Sequence, residues 1–156
     1  MNILKQHLGL NDIQEVIAEM GPLPGAQRVC EWVSTHFQLG SCQIPSRVCS
    51  SSNEAIRVAQ FCHKLETDEE GMITAYKLRQ PDQKRESVKA LHGLNFRVIA
   101  AGDSYNDTTM LGEADHGFLF DAPANVIAEF PQFPAIHGYD ALKEAIRSVS
   151  QRNIPA

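Results

Sequence analysis

The stretch "RVIAAGDSYNDTTML", Arg97 to Leu111, decides the fold. It runs from an apolar burst into two aspartates four residues apart, Asp103 and Asp107. Val98, Ile99, Ala100 and Ala101 read as a short buried strand, and Gly102 lets the backbone turn sharply or a ligand approach closely. "NDTTMLGEA" reads as a helix, so Asp107 falls in its first turn, where a carboxylate suits the helix dipole. Ligands of an open parallel sheet collect at the carboxyl ends of the strands, and Asp103 sits at that edge. Two carboxylates on one such loop can hold Mg2+ with waters and a phosphate oxygen, since this ion takes only one or two protein carboxylates. Ser104 and Asn106 offer hydrogen bonds to the same ligand. The plainer alternative is a capping loop, in which Asp103 or Ser104 caps the helix and Asp107 fills its first turn.

Upstream, "KRESVKALHGL" suits a helix with Val88, Leu91 and Leu94 inward and Gly93 near its end. Lys84 opens it, nineteen residues before Asp103, and its ammonium can reach back over the sheet edge as a point charge for phosphate. The alternative for Lys84 is an ordinary solvated helix residue. Downstream, "GFLF" reads as a strand, "NVIAEF" as a helical turn and "YDALKEAIRSV" as a closing helix. "EFPQFPA" reads as a proline-stiffened loop whose Phe130 and Phe133 cover the core. Strand and helix alternate through this half, which predicts a parallel sheet with helices on its faces.

In the first half, Asn11 is placed to cap a helix through "DIQEVIAEM", where Ile13, Val16, Ile17 and Met20 recur at helical spacing and Gly21 and Pro22 end it. "PGAQRVCEWVSTHF" makes a second helix, with Pro24 at its start and Val29, Trp32 and Val33 on one face. A strand is expected after Phe37, yet residues 38–60 show scattered serines and no alternation, and read as one long loop. "FCHKLETDEEGMITAYKLRQ" then predicts a hairpin turning at Asp68 to Gly71, with His63 as a hydrogen-bonded structural histidine ahead of the alternative, a residue lining a substrate pocket.

At 156 residues and 43% apolar content the chain has the material for one ordinary core. Its 14 basic and 19 acidic residues, a net charge of -5, create no overall field for nucleic acid or an anionic membrane. An anionic substrate must therefore be held locally, by Lys84 with Arg79 and Arg85 as candidate helpers. Cys30, Cys42, Cys49 and Cys62 form no CxxC pair and read as free thiols. No apolar run of the ~18 residues needed to span a membrane occurs, and Met1 is followed by a polar segment, so the cytoplasm is the expected location.

"GDSYND" with its upstream lysine resembles the fourth and third motifs of the haloacid dehalogenase superfamily. "FCHKLE", "YKLRQPDQKRESV", "FRVIAAGDSYNDTTML", "HGFLFDAPANVIAEFPQFPAIHGYDALK" and "LGLNDIQEV" resemble its bifunctional phosphoserine phosphatase/homoserine phosphotransferase branch. The resemblance covers residues 1–37 and 61 to about 147. It implies a three-layer Rossmann-like α/β core that is incomplete, lacking the first strand and most of the helical cap. Residues 1–23 are then a cap remnant, and 24–156 a partial core with 38–60 aberrant. For those residues a displaced reading frame is the expectation, since a one-base shift, with a permitted choice of codons, turns Arg47 to Gln60 into a helix-like run.

The resemblance further implies Mg2+ as cofactor and a small phosphorylated amino acid as substrate, with no nucleic-acid or membrane partner and a homodimer left open. Asp103 would be a direct metal ligand, and Asp107 would orient a metal-bound water or complete the ligand set. Asn106 and Ser104 would contact phosphate, and Lys84 would hold the phosphoryl oxygens. Such enzymes attack phosphate with an aspartate from a DxD motif, and no such pair occurs in the 156 residues. Two readings of function follow: a Mg-dependent phosphoserine phosphatase type of enzyme, or an inactive remnant without the nucleophile. A receiver-like fold with Asp103 as phosphoacceptor ranks lower, because it needs further acids on a first strand.

Overall fold

The computed structural model describes residues 9–20, 23–41, 58–61 and 63–150. They fall into two units, which divide between Pro81 and Asp82.

In the first unit, α1 (Leu10–Met20) is followed by α2 (Ala26–His36). Entry to α1 does not use Asn11, which lies inside the first turn. Gly9 precedes the helix and donates its N–H to Asp12 Oδ2 at 2.8 Å, so the acid in the third helical position satisfies the entry amide. Leu10 N–H reaches the Gly71 carbonyl at 2.9 Å, tying the helix to the hairpin described below. The apolar spacing of α1 is not fully covered: Val16 is 56% and Met20 76% exposed. In α2, Gly25 enters with φ 88° and Val29 is buried. Trp32 is packed by His36 and Phe37, with ring centroids 5.2 and 6.0 Å away.

The segment after Phe37 corrects the expectation of one long loop. β1 (Leu39–Ser41) pairs in parallel with β2 (Val58–Gln60), Gly40 opposite Ala59. Three residues are too few for alternation to register in a sequence, and a parallel ladder depends on a partner far along the chain. Residues 42–57, with Cys42 and Cys49, lie outside the described residues, as do Gly21, Pro22 and Cys62. The displaced-frame expectation therefore falls largely there. Cys30 is a free thiol.

The hairpin forms where the sequence places it, β3 (Lys64–Thr67) antiparallel to β4 (Ile73–Lys77). Asp68 closes the turn, its Oδ1 accepting from Met72 N–H at 2.8 Å, while Gly71 takes φ 82°. His63 meets Tyr76 edge-on at 5.3 Å, and its Nδ1 accepts from Arg79 N–H at 3.2 Å.

The second unit alternates helix and strand: α3 (Gln83–Gly93), β5 (Ile99–Gly102), a 3-10 turn (Tyr105–Asp107), α4 (Thr108–Glu113), β6 (His116–Phe120), α5 (Ala124–Glu129), β7 (Ala135–Ile136) and α6 (Tyr139–Val149). The strands form one parallel sheet in the order β5-β6-β7, with Ala100 opposite Gly117 and Leu119 opposite Ala135. Its core gathers Val88, Ala100, Met110, Leu111, Leu119, Ala122 and Val126, and Phe130 and Phe133 pack against it. The two-residue β7 falls in what reads from sequence as a loop, because its ladder comes from β6 and not from any local pattern.

Two burial expectations change. Ala101 is exposed while Ala100 is buried, since neighbours on a strand face opposite sides and only one side of this position is covered by core. Leu94 is 68% exposed because α3 ends at Gly93, and the chain leaves the helix before Leu94 can take the next inward place. No helix among the described residues is long and apolar enough to cross a membrane.

Candidate functional site

The carboxyl end of β5 delivers Asp103 and, one 3-10 turn later, Asp107. Asp107 is buried, 5% exposed, and its partners come from this loop and from the start of α3. Its Oδ1 accepts from Lys84 Nζ at 2.6 Å. Its Oδ2 accepts from Asp103 N–H at 3.2 Å, Ser104 N–H at 3.1 Å and Ser104 Oγ–H at 2.8 Å. Gly102 makes this approach feasible, because a Cβ there would overlap Cβ and Cγ of Asp107. The capping alternative thus describes one oxygen of Asp107, and the lysine contact describes the other.

Burial pushes the Asp107 carboxyl up, but the hydrogen bonds from Lys84 and Ser104 outweigh it and hold the group below the usual aspartate range. Asp107 is therefore a carboxylate at neutral pH, and the ammonium beside it offsets its charge. Lys84, in the first turn of α3, keeps 28% of its side chain exposed and can present its remaining protons to an anion.

The other expected residues are distributed unevenly. Asp103 is exposed, and among the described residues its carboxylate has no hydrogen bond or ion pair. Asn106 is exposed on the same loop. Ser104 belongs to the loop as well, with its hydroxyl proton already given to Asp107. Arg85 is drawn away from Lys84 and pairs through Nε with Glu113 Oε2 at 2.8 Å, so it braces α3 against α4 and does not assist the lysine. Arg79 lies over the Phe61 ring at 5.9 Å in the first unit. His116 meets Arg97 at 3.4 Å and His137 lies 3.5 Å from Asp121.

Two contacts escaped the sequence reading. Thr109 Oγ1 donates to Asp82 Oδ1 at 2.8 Å, joining the start of α4 to the start of α3. Asp82 itself holds φ 46°, a left-handed conformation that aspartate tolerates better than most residues. Tyr105, inside the motif, donates its hydroxyl to Glu129 Oε2 at 2.8 Å. These partners are 24 to 27 residues apart, and no local pattern signals them.

Whether a divalent cation fits is a question of donor capacity. Asp103 offers two free carboxylate oxygens. On Asp107, Oδ2 is saturated by three donors, while Oδ1 has one lone pair left beside the lysine, a capacity suited to orienting a water. The described residues contain no cluster of three or more His, Cys, Asp or Glu, so a zinc-type cage is not formed by them. A small hard cation such as Mg2+ asks for less, one or two carboxylates with waters and phosphate oxygens supplying the rest. The donor set present here fits that demand.

A parallel sheet flanked by helices, with two carboxylates and a lysine at its carboxyl edge, is the arrangement of a Rossmann-like α/β domain. Among solved structures, the phosphoserine phosphatase from T. onnurineus in complex with NDSB-201 shares this fold with a TM-score of 0.68 at 17% identity, over 94% of this chain and 70% of that one. Phosphoserine phosphatase ThrH of Pseudomonas aeruginosa is 48% identical over 159 residues, which covers 99% of this chain and 77% of the relative. A phosphoserine phosphatase of Pseudomonas syringae pv. tomato is 48% identical over the same length, covering 66% of that relative. No family model matches the chain. At this identity the chain belongs to the phosphoserine phosphatase family of the haloacid dehalogenase superfamily. Both alignments run across residues 38–60, which the sequence resemblance alone did not cover.

Proposed function

We propose that the second unit carries the cation- and phosphate-gripping part of a Mg2+-dependent phosphoserine phosphatase. The observation that carries this reading is the 2.6 Å contact between Lys84 and buried Asp107 beside the open Asp103 carboxylate at a strand end. The lysine is held in place by Asp107 while part of its charge faces solvent, which suits a phosphoryl oxygen. Asp103 is the direct ligand to Mg2+, and Asp107 positions Lys84 and a coordinated water. Asn106 contacts the phosphate, and Ser104, expected as a second contact, reaches it only when its hydroxyl turns away from Asp107. Bound Mg2+ would neutralise charge on the phosphoryl oxygens, the main demand of phosphoryl transfer. The substrate is a small phosphorylated amino acid, with homoserine as a second acceptor; neither nucleic acid nor membrane is needed. We place the chain in the cytoplasm, read residues 1–23 as cap-derived and 24–156 as core, and leave a homodimer to be checked by sedimentation.

A second reading has its own support. No aspartate pair of the form DxD occurs in the 156 residues, so the chain could bind Mg2+ and phosphate without turning over. One experiment separates the two. Phosphate release from phosphoserine is followed with the purified chain in Mg2+ and in EDTA, beside Lys84→Met and Asp103→Asn. Mg2+-dependent release that each substitution lowers by about a hundredfold supports the enzyme. Calorimetric binding of Mg2+ and phosphate without release supports the non-hydrolysing form, and absence of both refutes the reading of the site.

A further inference from the structure

The phosphatase reading leaves one side chain of "GDSYND" without a role. Tyr105 opens the 3-10 turn that separates Asp103 from Asp107. Its hydroxyl donates to Glu129 Oε2 at 2.8 Å and accepts from Asn125 Nδ2 at 3.3 Å. Both the donor and an acceptor site of the phenol are thus used, and both partners belong to α5. The ring meets Phe130 edge-on at 5.9 Å, and Phe130 stacks on Phe133 at 6.5 Å, the pair that packs against the core. Tyr105 is therefore fixed at its ring and at its hydroxyl.

The opposite flank of the loop is tied to α3, by Lys84 on Asp107 and Thr109 on Asp82. Between the two flanks, the side chains of Asp103 and Asn106 are exposed and make no hydrogen bond among the described residues. Their placement rests on the backbone that carries them. We infer that Tyr105 is a positioning residue, whose hydrogen bond to Glu129 holds the 103–107 loop so that Asp103 and Asn106 face a divalent cation and a phosphate together. The inference rests on the phosphatase reading above for the identity of those ligands. Releasing one flank lets the loop sample more conformations, and binding must then restrict them again, which lowers affinity.

The test uses the full chain, titrated calorimetrically with MgCl2 in inorganic phosphate, with amide hydrogen exchange and thermal melting measured in parallel. Tyr105→Phe keeps the ring and deletes the hydroxyl; Glu129→Ala deletes the acceptor; Glu129→Gln retains a carbonyl oxygen that can accept. Each deletion is expected to weaken Mg2+ binding about fivefold and to speed exchange of the Asp103 and Ser104 amides, while Glu129→Gln stays within about twofold of the parent. The Tyr105→Phe, Glu129→Ala double variant is expected to bind no more weakly than either single one, as partners in one contact should. A melting temperature for Tyr105→Phe near that of the parent separates positioning from loss of fold. Unchanged affinity and exchange in Tyr105→Phe, additive losses in the double variant, or a Glu129→Gln as impaired as Glu129→Ala would each overturn the inference. Parent protein that binds neither Mg2+ nor phosphate overturns the phosphatase reading instead, and the exchange comparison then still decides whether the Tyr105 bond holds the loop.

Discussion

At Asp107, burial opposes ionisation and four hydrogen bonds favour it, and the bonds win. The folded-state pKa therefore lies below the unfolded value of about 3.9. Stabilisation from this group is fully present above the unfolded value and is lost as pH falls through the folded one. Melting temperature should drop on acidification below about pH 4, and Asp107→Asn should flatten that part of the profile. Glu113, held low by Arg85, and Asp115, held low by the Val98 amide, contribute in the same window, so the difference between parent and variant isolates Asp107. Removing the cation is a separate test. Lys84→Met leaves a buried carboxylate without its ammonium and should cost about 3 kcal/mol in urea unfolding. Lys84→Met with Asp107→Asn should recover part of that loss, because no unpaired charge then remains. Additive losses would show that the pair is not energetically coupled.

At the scale of elements, the site depends on how closely β5 approaches the turn that follows it. Gly102 is where the backbone passes over Asp107, and Gly117 is where β6 passes under the Leu111 carbonyl, which a Cβ would overlap. Gly102→Ala must displace Asp107, and should lose about 2 kcal/mol of stability as well as phosphate binding. Gly93, the last residue of α3, has open space around a Cβ, so Gly93→Ala should be neutral or stabilising by about 0.5 kcal/mol. Equal behaviour of the two variants in chemical denaturation would refute the close-approach explanation. The elements most legible in the sequence were those with a strong local period, namely the 83–93 helix, the hairpin around Asp68 and the strand before Asp103. β1, β2 and β7 were not legible, since two or three residues carry no measurable period and their ladders depend on partners elsewhere.

For the whole molecule, the second unit holds a connected core and the candidate site together. If that site grips ions only when folded, ligands must stabilise the fold by mass action. Mg2+ and phosphate at about a hundred times their dissociation constants should add about 2.7 kcal/mol, seen as a higher melting temperature that EDTA reverses. A melting temperature indifferent to both would mean that no site forms. The site itself was half legible. The two acids, the lysine and the glycine stood out by type and spacing around an apolar strand, and the family resemblance gave them roles. Which oxygen of Asp107 binds what, and that Arg85 turns to Glu113, followed from packing alone.

By itself the sequence determined the local order of this protein: strand, tight turn and helix at 97–111, a lysine opening the preceding helix, and acids at a strand end. These are short-range facts, set by side-chain periodicity, by glycine and by the family signature in the residues themselves. Only the tertiary structure decided that Lys84 rests on Asp107 across 23 residues, that Tyr105 reaches Glu129, and that Leu39–Ser41 finds Val58–Gln60. Such contacts depend on the path by which the chain returns, and residue order does not contain through-space distances until the core has folded.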